Sequence, residues 1–298
     1  MSFSSSKAPG PDGLGFECLK IAYTAIPEYF HSLFEVLIRA GYHPKIWREE
    51  TIVIIKKAGK SDYSAPKAYR PILLLNCIGK ISEKIMATRL AHMAEKYNLQ
   101  DHLQIGGRPR RSAVDAAMYL ATLIDEGNKK GITLSTLCID VEGAFDNVFK
   151  ERLLHTMKSM KLDQKTTRWV ETFLSERMAS LSFDKDSEEM SPINTGIPQG
   201  SPVSPMLFLF NVFPLFKMMR LKHPDVICPS YIDDICLLVE GNSPKDNVTE
   251  LEEAVATCFK WGKENAVAFD DPKSELFFFC FFFFFFLFIL HGSLRLKA

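Results

Sequence analysis

Two adjacent carboxylates, Asp233 and Asp234, interrupt an otherwise apolar stretch that reads Ser230-Tyr231-Ile232-Asp233-Asp234-Ile235-Cys236-Leu237-Leu238. Apolar, β-favouring residues on both sides of a short polar break predict two strands joined by a tight turn, with the acidic pair at its tip. A second apolar run, Leu134-Ser135-Thr136-Leu137-Cys138-Ile139, ends in a third carboxylate, Asp140, followed by Glu142-Gly143-Ala144-Phe145-Asp146. Taken singly, an Asp-Asp pair is also an ordinary solvated turn, and an Asp after a strand is also a helix cap. A strand ending in Asp beside a hairpin that presents two more is nevertheless an arrangement of oxygen ligands suited to divalent cations.

The 298 residues are 47% hydrophobic and 24% charged, which fits a globular chain long enough for two subdomains. Its seven cysteines, at 18, 77, 138, 228, 236, 258 and 280, form no C-x-x-C pair. That argues against a zinc site or disulfide framework and for reduced core residues of an intracellular protein. No apolar segment follows Met1, so no secretory signal is expected. Net charge is zero, yet Arg39 to Arg111 carries 15 Lys and Arg against 6 Asp and Glu, leaving the remainder equally acidic. Such a basic part suits phosphate-rich partners and an acidic part suits cations, although a solvated charged face gives the same bias.

Helical spacing of apolar residues predicts helices over Tyr29 to Ile38, Ile78 to Tyr97, within Lys150 to Arg177, over Pro202 to Arg220 and over Pro244 to Lys263. Strands are expected at Thr51 to Ile55, before Asp140, on either side of Asp233 and near Leu276, with a turn-rich stretch from Asp184 to Thr195. Alternating strands and helices after Gly131 read as an α+β fold close to the ferredoxin-like split βαβ arrangement. Leu276 to Leu290 is fifteen apolar residues, ten of them Phe. A membrane span needs about 20 residues. Composition instead predicts an aberrant tail from about Phe277, encoded by a T-rich tract and not part of the fold.

The motifs are Lys7-Ala8-Pro9-Gly10-Pro11-Asp12-Gly13, Lys57-Ala58-Gly59-Lys60, Tyr69-Arg70-Pro71-Ile72 and Gly106-Gly107-Arg108-Pro109-Arg110-Arg111-Ser112. After Asp140 to Asp146 come Gly196-Ile197-Pro198-Gln199-Gly200-Ser201-Pro202, the Tyr-Ile-Asp-Asp box and Lys273-Ser274-Glu275-Leu276. In this order, from Lys7 to Lys273, the chain resembles the reverse transcriptase domain of a non-LTR (LINE-type) retrotransposon. The resemblance implies right-hand polymerase fingers and palm. It divides the chain into an N-terminal extension over 1–40, fingers over 41–130, a palm over 131–275 and the Phe-rich tail over 276–298. No thumb is expected in the chain, and no element-encoded endonuclease domain.

The implied chemistry is two-metal transfer of dNTPs to a primer 3′-hydroxyl, with Mg²⁺, or alternatively Mn²⁺, as the two ions. Asp140 and Asp233 are the bridging ligands by resemblance, Asp234 the third carboxylate and the Val141 carbonyl a further ligand. Arg70 and Lys57 fall to the triphosphate, because a guanidinium pairs well with phosphate oxygens; a solvated loop lysine is the other reading of Lys57. Lys273 matches a general acid near the leaving pyrophosphate. Phe145 would exclude a 2′-hydroxyl, or else serve only as core, and Gln199 would lie near the templating base or incoming nucleotide. The partners implied are an RNA template, a DNA primer and dNTPs, within a nuclear or cytoplasmic ribonucleoprotein and with no membrane. A decayed remnant that only binds nucleic acid, and another palm polymerase such as an intron maturase, are the alternatives.

Overall fold

A computed structural model describes residues 3–59, 61–65, 68–183, 186–270, 274–279 and 289–290. In chain order the elements begin with α1 (Phe16–Ala25), α2 (Pro27–Ala40), β1 (Glu49–Lys56), β2 (Tyr69–Leu75), α3 (Cys77–Tyr97), α4 (Ala113–Lys130) and β3 (Thr133–Asp140). They continue with α5 (Lys150–Ser159), α6 (Gln164–Leu174), β4 (Arg177–Phe183), β5 (Asp186–Ser187), β6 (Ser191–Ile193) and α7 (Ser204–Lys222). The last are β7 (Ser230–Tyr231), β8 (Asp234–Gly241), α8 (Pro244–Glu264), β9 (Glu275–Phe279) and β10 (Ile289–Leu290). The fold is α+β with two sheets, and the chain divides into two compact units, residues 1–92 with 149–207, and 93–148 with 208–298.

The first unit contains a mixed sheet ordered β2-β1-β4-β5, with β6 also paired to β4. β1 runs antiparallel to β2 and parallel to β4. Pro71 lies in β2, an edge strand, where a missing N–H costs no ladder bond. Proline at the first turn of α2 and left-handed Gly41 at its end fix that helix, which buries Phe30, Phe34 and Leu37 at helical spacing. These side chains join Phe16, Leu19, Trp47 and Cys77 in one core cluster. His43 is buried among the rings of Trp47, Trp169 and Phe173, and burial pushes its pKa down to about 3, so it is neutral.

Two acidic side chains are also buried in this unit. Glu50 ion-pairs with Arg177, and burial still raises its pKa against the pull of that guanidinium. Glu83 of α3 accepts a 2.5 Å hydrogen bond from Ser201 Oγ, and burial raises its pKa to about 7.

The second unit is built on a sheet ordered β10-β9-β3-β8-β7, with β3 antiparallel to both β8 and β9. Leu134, Leu137 and Ile139 of β3 and Ile235, Leu237, Leu238 and Val239 of β8 are buried. α8 starts at Ser243, which caps it by accepting from the Asp246 N–H, and buries Leu251, Ala254, Val255 and Cys258. Its buried Asn247 donates to the Thr133 carbonyl and Ser135 Oγ, both at 2.9 Å, satisfying polar groups inside the sheet.

The helices and strands expected from the sequence are present, and the structure adds β2 and β4 to them. The stretch from Asp184 to Thr195 contains β5 and β6 as well as turns. α1 and α4 were not anticipated, although the Ser112–Asp115 capping box that opens α4 is a sequence-level start signal. The expectation that the fold ceases at Phe277 is corrected, because Phe277, Phe278 and Phe279 pair in β9 with Thr136, Ser135 and Leu134 of β3. An unbroken apolar run without helical period also describes a buried strand, and Phe favours strands. Residues 280–288 and 291–298 lie outside the described residues.

Glu83 generates a pH-dependent stability. Between pH 4.5 and about 7 the folded protein keeps a proton on Glu83 that the unfolded chain has released, so stability falls as pH rises through that window. The effect is of order 3 kcal/mol. In urea titrations from pH 4.5 to 7.5, Glu83→Gln should remove this part of the slope; an unchanged slope would show that the buried carboxyl does not titrate in that range.

Candidate active site

The three carboxylates found in the sequence come together at one end of the second unit's sheet. Asp140 is the last residue of β3 and its register partner is Asp234, the first of β8. β7 and β8 form a hairpin in which Tyr231 pairs with Asp234 across the two turn residues Ile232 and Asp233. The Asp270 N–H donates to the Asp140 carbonyl at 2.9 Å, turning the backbone polar groups of Asp140 away from β8. Asp140 and Asp234 are therefore a non-hydrogen-bonded pair, the closer kind, with Cα atoms about 4.5 Å apart and side chains on one face. The Val141 N–H reaches the Asp233 carbonyl at 3.3 Å, which ties the third acidic residue to the same strand end.

Convergence here is a property of the backbone. Among the described residues no three His, Cys, Asp or Glu side chains are drawn closely enough round one point to hold a metal ion. Directly opposed like charges repel, and a cation between Asp140 and Asp234 would offset that repulsion. The donor set, carboxylate oxygens on neighbouring strand ends, fits a hard divalent ion.

The turn itself is strained and tightly packed. Ile232 has φ 61°, a left-handed conformation that β-branched residues rarely adopt. Gly106 presses on it from outside: a Cβ there would lie 2.6 Å from the Ile232 nitrogen and 2.8 Å from the Tyr231 Cα. Just before Gly106, Gln104 forms an isolated parallel bridge with Ser230 of β7, with the Ile105 N–H donating to the Ser230 carbonyl at 2.8 Å and the Ser230 N–H to that of Leu103 at 2.9 Å. Arg108 anchors this segment. Its guanidinium makes a paired hydrogen bond to Glu95 at 2.8 and 2.7 Å, and also donates to the Asp101 and His102 carbonyls. Nothing local in the Gly106 to Ser112 motif signals that Gly106 packs against the acidic turn.

Phe145 lies in the turn after β3 and stacks on Phe208, with ring centroids 5.7 Å apart and planes at 29°. Val141 is buried. Lys57, Arg70 and Gln199 belong to the first unit. There Arg70 is an exposed residue of β2 opposite Ile55, and the Lys57 N–H donates to the Ala68 carbonyl at 2.9 Å, so both sit at the end of the β1–β2 pair where the connecting loop joins the two strands. Gln199 is in the turn before α7. The neighbouring Gly200 is at φ 107°, a backbone conformation that residues other than glycine rarely adopt, and a Cβ there would sit at ordinary contact distance, 3.4 Å, from the Leu73 carbonyl. The Ser201–Glu83 hydrogen bond holds the other side of that turn, a support between residues far apart in the chain that no local pattern signals. Lys273 lies outside the described residues.

The fold is shared with telomerase. Apo telomerase of Candida tropicalis truncated from its C-terminal domain superposes with a TM-score of 0.53 over 78% of this chain and 50% of that one, at 12% identity. The family model for reverse transcriptase (RNA-dependent DNA polymerase) matches residues 55–283, and the chain belongs to that family. Its similarity is to non-LTR retrotransposon proteins. It is 32% identical over 263 residues to a putative 115 kDa protein in type-1 retrotransposable element R1DM of Drosophila melanogaster, covering 87% of this chain and 24% of that protein. Over 260 residues it is 26% identical to the RNA-directed DNA polymerase from mobile element jockey of the same species, covering 86% and 28%. The chain thus spans about a quarter of the length of the curated relatives it matches. Reverse transcriptases as a family use divalent metal ions. No helix among the described residues is long and apolar enough to cross a membrane.

Gly106→Ala should force the Tyr231–Ile232 turn to shift, at a cost of about 1–3 kcal/mol for overpacking. A urea midpoint equal to that of the parent protein would show that the turn yields freely.

Proposed function

We propose that this chain is the polymerase core of an RNA-directed DNA polymerase that adds dNTPs to a primer 3′-hydroxyl on an RNA template. The observation that carries the reading is the register pairing of Asp140 with Asp234 beside the Asp233 turn, in a chain of the reverse transcriptase family. The order β9-β3-β8-β7, with β3 and β7 joined through α7 and β8 and β9 through α8, has the connectivity of the ferredoxin-like split βαβ motif, and we read it as the palm. The β1–β2 pair, in the basic part of the sequence, we read as fingers.

In this reading Asp140, Asp233, Asp234 and the Val141 carbonyl are the groups that would hold two Mg²⁺ ions. Bound there, the ions would lower the charge on the attacking and leaving oxygens. The backbones of Asp140, at a strand end, and of Asp233, in a strained turn, are fixed before substrate arrives, so only side-chain rotation is left to bring their carboxylates to the ions. Arg70 and Lys57 bind triphosphate oxygens, Arg70 through the paired geometry of its guanidinium. Phe145, backed by the buried Phe208, presents a ring whose edge the sugar must clear, and a 2′-hydroxyl adds the bulk that fails. Gln199, in a turn held by the Ser201–Glu83 hydrogen bond, offers an amide to a base. Lys273 protonates the departing pyrophosphate.

Primer extension on an RNA template with Mg²⁺ tests the reading. With a thumb joined to the chain, product should form and fall to background in Asp233→Ala, while Phe145→Val should raise ribonucleotide incorporation about tenfold or more, the scale of one lost steric contact of 1.4 kcal/mol; the chain alone should be inactive or nearly so. RNA binding without product, with either Mg²⁺ or Mn²⁺, would favour an inert nucleic-acid-binding remnant; unchanged sugar preference would leave Phe145 as core alone.

A further inference from the structure

Two rungs inward from Asp140 and Asp234, on the same face of the sheet, Cys138 stands directly opposite Cys236. The Cys236 N–H donates to the Pro229 carbonyl at 2.9 Å, so the backbone polar groups of Cys236 face away from β3. The cysteines are thus another non-hydrogen-bonded pair, with Cα atoms about 4.5 Å apart. A disulfide needs Cα atoms roughly 4.4–6.8 Å apart with Cβ atoms facing each other, and this rung meets both conditions. The two sulfurs are 2.8 Å apart, both cysteines are free, and both are half-buried, so a small solute can reach them. Nucleotidyl transfer has no use for paired thiols at this place.

We propose that Cys138 and Cys236 are an oxidation site at which hydrogen peroxide closes a cross-strand disulfide beneath the acidic pair. The peroxide oxidises one thiol to a sulfenic acid, its O–O bond breaking and water leaving. The second sulfur then attacks the sulfenic sulfur; the S–O bond breaks, an S–S bond forms and a second water departs. Overall the two thiols lose two electrons and two protons to one peroxide. Dithiothreitol supplies them back. The bond joins the two strands that carry Asp140 and Asp234, so the sheet end that holds the carboxylates is covalently tied in the oxidised form. This inference rests on the strand register and stands whether or not the metal reading does.

The test is peptide mapping of the full chain after exposure to an equimolar amount of hydrogen peroxide, with remaining thiols trapped by alkylation and digestion under non-reducing conditions. A Cys138 peptide linked to a Cys236 peptide is expected, present also in Cys18→Ser and absent after dithiothreitol. Cys18, which is exposed, should stay predominantly alkylated. Recovery of Cys138 and Cys236 as alkylated thiols, as sulfinic acids, or linked to other cysteines would overturn the proposal.

Discussion

The antiparallel register of β3 with β8 is the constraint on which the site depends. It sets Asp140 opposite Asp234, and because side chains alternate across a strand, a slip of one residue would carry either carboxylate to the other face. What holds the register is the hydrogen-bonded rungs between, Leu137 with Leu237 and Ile139 with Ile235, whose side chains are buried. Burial fixes the polar rungs by fixing the apolar ones.

That arrangement sets cost against use. Opposed carboxylates on a closely spaced rung repel, and a β-branched residue at positive φ adds strain of about 1–3 kcal/mol. Both features sit at the same turn, braced from outside by Gly106 and by the segment that Arg108 anchors to Glu95. A chain selected for stability alone has no need of either. A chain that must hold cations at a sheet edge needs the first and gains from the rigidity of the second.

Much of this was legible in the sequence, and the parts that were not share a physical reason. Strands ending at Asp140 and flanking Asp233 announce themselves because apolar runs broken by carboxylates leave few alternatives. That these strands are neighbours follows from no local pattern; it came from the motifs being those of one family. Gly106 is silent in the sequence, since a glycine that permits close backbone approach looks like any turn glycine. The Glu83–Ser201 bond joins residues far apart in the chain, and a lone Glu in an amphipathic helix reads as solvent-exposed. Phe277 to Phe279 misled for the opposite reason: their composition was so unusual that it masked an ordinary strand.

The central claim is that Asp140 and the acidic hairpin together bind divalent cations. Titration of the chain with Mn²⁺, followed by loss of the free-ion electron paramagnetic resonance signal, addresses it without requiring catalysis. Saturable binding that is lost in Asp140→Asn, in protein with the parent's urea midpoint, is the result expected. Equal binding by the parent and the variant would contradict it.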